Sequence, residues 1–92
     1  MPEKLLQLTL MKEWFDQILD GKKTVEYREI KPYWTKRLVD VNGNPVKYDA
    51  VFFRNGYNHG CPRMKVEYVG LRTNIKTKEY EILLGKVLWS GN

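Results

Sequence analysis

The chain of 92 residues has a single cysteine, Cys61, and a single histidine, His59. One cysteine closes no intramolecular disulfide. A secreted chain of this size ordinarily needs such staples, so a reducing, cytoplasmic setting is expected. His59 and Cys61 are too few and too close for a zinc site, and no metal is expected. Two residues apart on a loop, they also make a poor nucleophile and base pair, so Cys61 reads as a packing residue and His59 as an exposed one. No phosphate loop of the GxxxxGK type exists, because Gly21-Lys22 lacks the upstream glycine. No Ser/His/Asp set is readable, and no cofactor is expected. Long apolar runs are missing too. The run from Leu5 to Met11 is too short to span a bilayer and is followed by Lys12 and Glu13, so neither a signal peptide nor a membrane partner is expected. There is no internal repeat, low-complexity tract or linker-like stretch. One domain over residues 1–92 is expected.

Acidic residues are in deficit, with 11 Asp+Glu against 16 Lys+Arg, a formal charge of +5 and a pI of about 9.4. That balance suggests an anionic partner. Hydrophobic residues at 42% and charged residues at 29% argue against disorder. A chain this short buries only roughly 60% of its unfolded surface. An aromatic share of 13% is therefore high, and some rings are expected outside the core.

Residues 5–10 alternate as a strand, with Leu6, Leu8 and Leu10 on one face. Met11, Trp14, Phe15, Ile18 and Leu19 then recur at helical spacing and predict a main helix over about 11–20, a core stripe ended by Gly21. Residues 24–30 return to period two: Val25 and Tyr27 point one way, Thr24, Glu26 and Arg28 the other. Pro32 can open a short helix over about 32–38, and residues 42–45 form a turn. Residues 48–54 read as a central strand, 55–62 as a loop, 64–71 as a strand and 74–78 as a polar turn. The last strand, 80–89, bends at Gly85. One helix and about five strands give an α+β, mainly β chain. A small, bent sheet or barrel with the helix plugging one end or side fits that content.

The most informative stretch runs from Gly21 to Arg28. A helix stops at a glycine and a strand starts at once, carrying lysine, glutamate and arginine. Glu26 and Arg28 share one face, and Lys23 sits at the turn that can swing it towards them. A carboxylate flanked by two cations stays ionised, and an arginine held in this way suits two-pronged recognition of phosphate or a base edge. The bland alternative is a surface ion-pair ladder, worth little energetically.

Gly21, Lys23, Glu26 and Arg28 fit the pattern GxKxxExR. With the preceding Trp14-Phe15-Asp16-Gln17-Ile18-Leu19-Asp20, the segment resembles the ASCH-domain family, relatives of the PUA fold. The resemblance implies a small PUA-like β-barrel whose motif residues line a basic groove. Family members are proposed to bind RNA, and some are hydrolases, including an amidohydrolase branch acting on N-acetylated cytidine and a described ribonuclease. In the deacetylating branch, the motif lysine, a nearby threonine and a distant glutamate are catalytic. The lysine corresponds to Lys23. The threonine position holds Glu26 here, and Thr24 stands too early. Glu67, Glu79 and Glu81 are candidates for the distant glutamate. If the chain is an enzyme, Lys23 and Glu26 are the expected catalytic pair.

Between Lys22 and Arg37, the cations Lys22, Lys23, Arg28, Lys31, Lys36 and Arg37 outnumber Glu26 and Glu29, with Tyr27, Tyr33 and Trp34 interleaved. Charge for phosphate and rings for stacking are what single-stranded nucleic acid requires. The bland reading has Tyr33 and Trp34 capping the barrel. In the loop after residue 54, Asn55 and Tyr57 are the preferred contacts. The expected ligand-binding set is thus Lys22, Lys23, Glu26, Arg28, Tyr33, Trp34, Asn55 and Tyr57, and the expected partner is RNA or a nucleotide-like ligand. The rivals are a small amidohydrolase and a protein-interaction domain using exposed sheet edges and aromatics.

Overall fold

The computed structural model describes residues 2–91. Its elements run β1 (Leu5–Thr9), α1 (Lys12–Leu19), β2 (Val25–Glu29), α2 (Pro32–Leu38), β3 (Ala50–Arg54), β4 (Arg63–Asn74) and β5 (Glu79–Gly91). The five strands form one sheet in the order β1-β3-β4-β5-β2. The β1–β3 pairing is parallel, and the other pairings are antiparallel. The chain is therefore mainly β, a curled half-barrel carrying two short helices, as the element content predicts. The 48–54 stretch contributes β3, which is an interior strand, although β4 holds the middle of the sheet.

The curl comes from the long β4–β5 hairpin. Its first half on β4 carries β3, and through it β1; its first half on β5 carries β2. From within the β3-paired stretch to the start of the β2-bearing half, the ladder slips at Lys65/Val66, Val66/Tyr68 and Tyr68/Gly70. Each extra residue bends the ribbon and increases its twist. Gly85, the predicted bend, lies in the second slip, where a Cβ would run into the Glu67 side chain. The bent ribbon brings the two edge strands, β1 and β2, towards each other.

Leu6 and Leu8 of β1, with Leu10 just beyond its end, face the concave side and meet Phe15, Ile18, Leu38, Val51, Phe53, Met64, Val66 and Ile82 in the core. The α1 stripe is narrower than its spacing predicts. Phe15 and Ile18 are buried, whereas Met11, Trp14 and Leu19 are exposed. An eight-residue helix at a barrel mouth has only about two turns to bury. Pro32 opens α2 at its first turn, and Cys61 is buried, as expected of a packing residue. The segment between α2 and β3 is tied down by two phenols, with Tyr48 donating to the Arg37 carbonyl at 2.6 Å and Tyr68 to the Val46 carbonyl at 3.2 Å. Burial pushes both phenol pKa values above their usual range. Among the described residues, no helix is long and apolar enough to cross a membrane.

Candidate functional site

The α1–β2 turn positions the site. Gly21 adopts φ 79°, the left-handed conformation that glycine tolerates best. Its N–H donates to the Ile18 carbonyl at 3.1 Å and the Lys22 N–H donates to the Gln17 carbonyl at 2.9 Å. This crossed pair of bonds is the Schellman closure of a helix C-terminus. The Lys23 N–H also reaches the Gln17 carbonyl, at 3.1 Å, which fixes the lysine's backbone before β2 begins.

Three charged groups meet beyond that turn. The Lys23 ammonium donates to the Val25 carbonyl and lies 3.4 Å from Glu26 Oε1. Arg28 Nη2 donates to Glu26 Oε2 at 2.7 Å. Glu26 is only 7% exposed, and Lys23 and Arg28 are largely covered. An exposed ion-pair ladder is thus excluded. The register explains why: Glu26 and Arg28 pair with Ile82 and Tyr80, both core-facing, so the charged side of β2 turns inward while Tyr27 is left outside. Arg28 Nη2 also donates to the Thr9 carbonyl at 3.3 Å, joining edge strand β2 to edge strand β1 across the barrel mouth.

Aromatic rings surround these charges. The Lys23 ammonium is 4.8 Å from the Tyr27 ring centroid and 5.7 Å from that of Trp14. The Arg28 guanidinium lies 5.0 Å from the Trp34 centroid. Trp14, Lys23, Glu26 and Tyr27 line a cavity of about 320 Å³. A shallower depression beside it is bounded by Gln17, Lys22 and Thr24.

The expected ligand-binding residues divide into two groups. Lys22, Lys23 and Glu26 line these hollows, and Arg28 stands behind Glu26 and holds it. Trp34 packs against the core and Arg28. One face of Tyr33 is covered by Arg37, whose guanidinium sits 3.6 Å from the ring centroid. The Asn55 amide donates to the Leu10 carbonyl at 3.1 Å, fixing its loop to the end of β1, and Tyr57 projects into solvent. Of the candidate distant glutamates, Glu81 binds Arg72 and Asn74, and Glu67, Glu79 and Glu81 are all outside the cavity lining. Of the cavity walls, Tyr27 is named in the sequence only as one of the interleaved rings, and Trp14 only as a core residue. Trp14 falls on the edge of a helical stripe, and that edge position beside a Gly-Lys turn was the available signal. No family model, curated protein or solved structure matches the chain.

Proposed function

We propose that the chain is an ASCH-like module that binds RNA or a nucleotide-like ligand in the cleft between Trp14 and Tyr27. The observation that carries this reading is a buried Lys23–Glu26–Arg28 charge chain whose first two members open into a cavity walled by two exposed rings. A cavity of about 320 Å³ stands at the small end of ligand pockets and suits one base or nucleoside, not a duplex. Rings on its walls provide stacking surface. Lys23 presents a donor and Glu26 an acceptor to the polar edge of a base, and Arg28 keeps Glu26 in place. Lys22 lies at the rim, where a phosphate would meet it.

Hydrolysis of an N-acetylated nucleoside fits less well. Both Glu26 oxygens are engaged by cations, so a proton shuttle there would have to break one of those contacts. Titration with short single-stranded RNA and with nucleoside monophosphates, at several salt concentrations, tests the binding reading. Trp14→Ala and Lys23→Gln are each expected to weaken binding about tenfold, and Lys22→Gln to lower the salt slope by about 0.7. Absence of binding at low ionic strength, or affinity indifferent to Lys23→Gln and Arg28→Ala, overturns it.

A further inference from the structure

The convex face of the sheet carries cations that the cleft does not use. On β3, Phe52 and Arg54 alternate with the fully buried Val51 and Phe53, and on β4, Arg63 and Lys65 alternate with the buried Met64 and Val66. These four side chains therefore point away from the core. Strand register sets Arg54 opposite Arg63, Phe52 opposite Lys65, and Lys65 opposite Trp89. The Phe52 and Trp89 rings stack at 6.3 Å with 15° between their planes. The indole leans over Gly91, the register partner of Arg63, where an added Cβ would stand 3.1 Å from Trp89 Cζ2. It remains 47% exposed.

Like charges directly opposite each other across a β-ladder repel. Lys65 has Glu3 as its counter-ion, but among the described residues no ion pair and no ring contact engages Arg54 or Arg63. Among the described residues the Nε of each, like that of Arg28 in the cleft, is buried without a hydrogen-bond partner. Unsatisfied donors of this kind are uncommon in folded proteins and call for an explanation, a bound ion or water being one. Two arginines set opposite each other across a ladder, with no carboxylate paired to either among the described residues, are an arrangement that one oxyanion relieves by charge-assisted hydrogen bonds.

We propose that Arg54 and Arg63 form a phosphate-binding site on this outer face, and that Trp89 stacks the adjoining base. The face then takes single-stranded nucleic acid independently of the cleft. An acidic peptide would satisfy the arginines but not the flat, half-exposed indole beside them, whereas a nucleotide supplies an anion and a ring together.

The three tryptophans make the test local. Trp14 and Trp34 flank the Lys23–Glu26–Arg28 chain, and Trp89 lies on the outer face. Indole N–H resonances of the full chain, assigned by single Trp→Phe variants, are followed during titration with a short single-stranded RNA and, separately, with polyglutamate. The Trp89 resonance is expected to move saturably with RNA, and R54Q/R63Q to weaken the affinity read there about tenfold. A stationary Trp89 while Trp14 and Trp34 move overturns the outer site and leaves the cleft reading intact. Movement of Trp89 with the other two stationary supports the outer site and removes the cleft. Equal movement with polyglutamate overturns the nucleic-acid assignment. Should R54Q/R63Q fail to fold, the two titrations of the parent chain still decide the outcome.

Discussion

Glu26 is the residue on which the candidate site depends. The residue is 7% exposed, and its carboxylate answers two cations, one through each oxygen. Removing its charge leaves an ammonium and a guanidinium facing each other in a largely covered space. Loss of one partner from a buried ion pair costs about 3–5 kcal/mol, and the partial exposure of Lys23 and Arg28 places this case at the lower end. We expect Glu26→Gln to destabilise the fold by about 3 kcal/mol, a large share of the stability of a domain this small. Urea unfolding of the parent and the variant checks it. An exposed pair would lose under about 1 kcal/mol, so the measurement also distinguishes the inward geometry from a surface ladder.

At the scale of elements, the α1–β2 turn links folding to the site. Gly21 holds φ 79° and a Cβ there would meet nothing within 4 Å, so the penalty for a larger residue is one of backbone conformation rather than of space. Replacing glycine by alanine usually stabilises through the unfolded chain, but at positive φ the sign reverses. Gly21→Ala is expected to cost about 1–2 kcal/mol. Because Lys22 and Lys23 both hang from the Gln17 carbonyl, the same change should displace Lys23 and weaken cleft binding; thermal denaturation and an RNA titration read the two effects separately. This turn was legible in the sequence, since a helical stripe, a glycine and a period-two run are all local signals. The pairing of Glu26 with Arg28 is legible from their spacing, but its inward direction is not, because an exposed ladder has the same spacing. The bond from Arg28 to the Thr9 carbonyl was not, because no local pattern tells that β1 and β2 end as opposite edges of a curled sheet. Trp14 was lost for a related reason: periodicity assigns a residue to a stripe, but the width of the buried stripe depends on what packs against a short helix. Asn55 reads as a ligand contact in sequence because it is a polar loop residue, and its anchoring bond to the Leu10 carbonyl is a long-range contact that no local pattern announces.

For the whole molecule, the sheet is open between β1 and β2, and one guanidinium spans that opening. Arg28 Nη2 holds Glu26 on its own strand and the Thr9 carbonyl on the other edge. Elsewhere β1 is attached through β3, and β2 through β5. The long β4–β5 hairpin, bulged but paired from Arg63–Gly91 to Asn74–Glu79, does not depend on this bridge. Local opening follows the number and burial of the contacts that hold a segment, so loss of the bridge should loosen the two edges before the ribbon. Both bonds leave the single nitrogen Nη2, and Arg28→Lys keeps a positive charge beside Glu26 on a shorter side chain whose ammonium falls short of that position and cannot reach both partners. Native-state amide exchange is expected to speed up in the β1–β3 and β2–β5 ladders of this variant, with the β4–β5 amides little changed. Uniform acceleration across all five strands would mean that Arg28 acts on global stability alone. Unchanged edges would mean that the hydrophobic core, through Leu6, Leu8 and Leu10, holds β1 in place without help from the bridge.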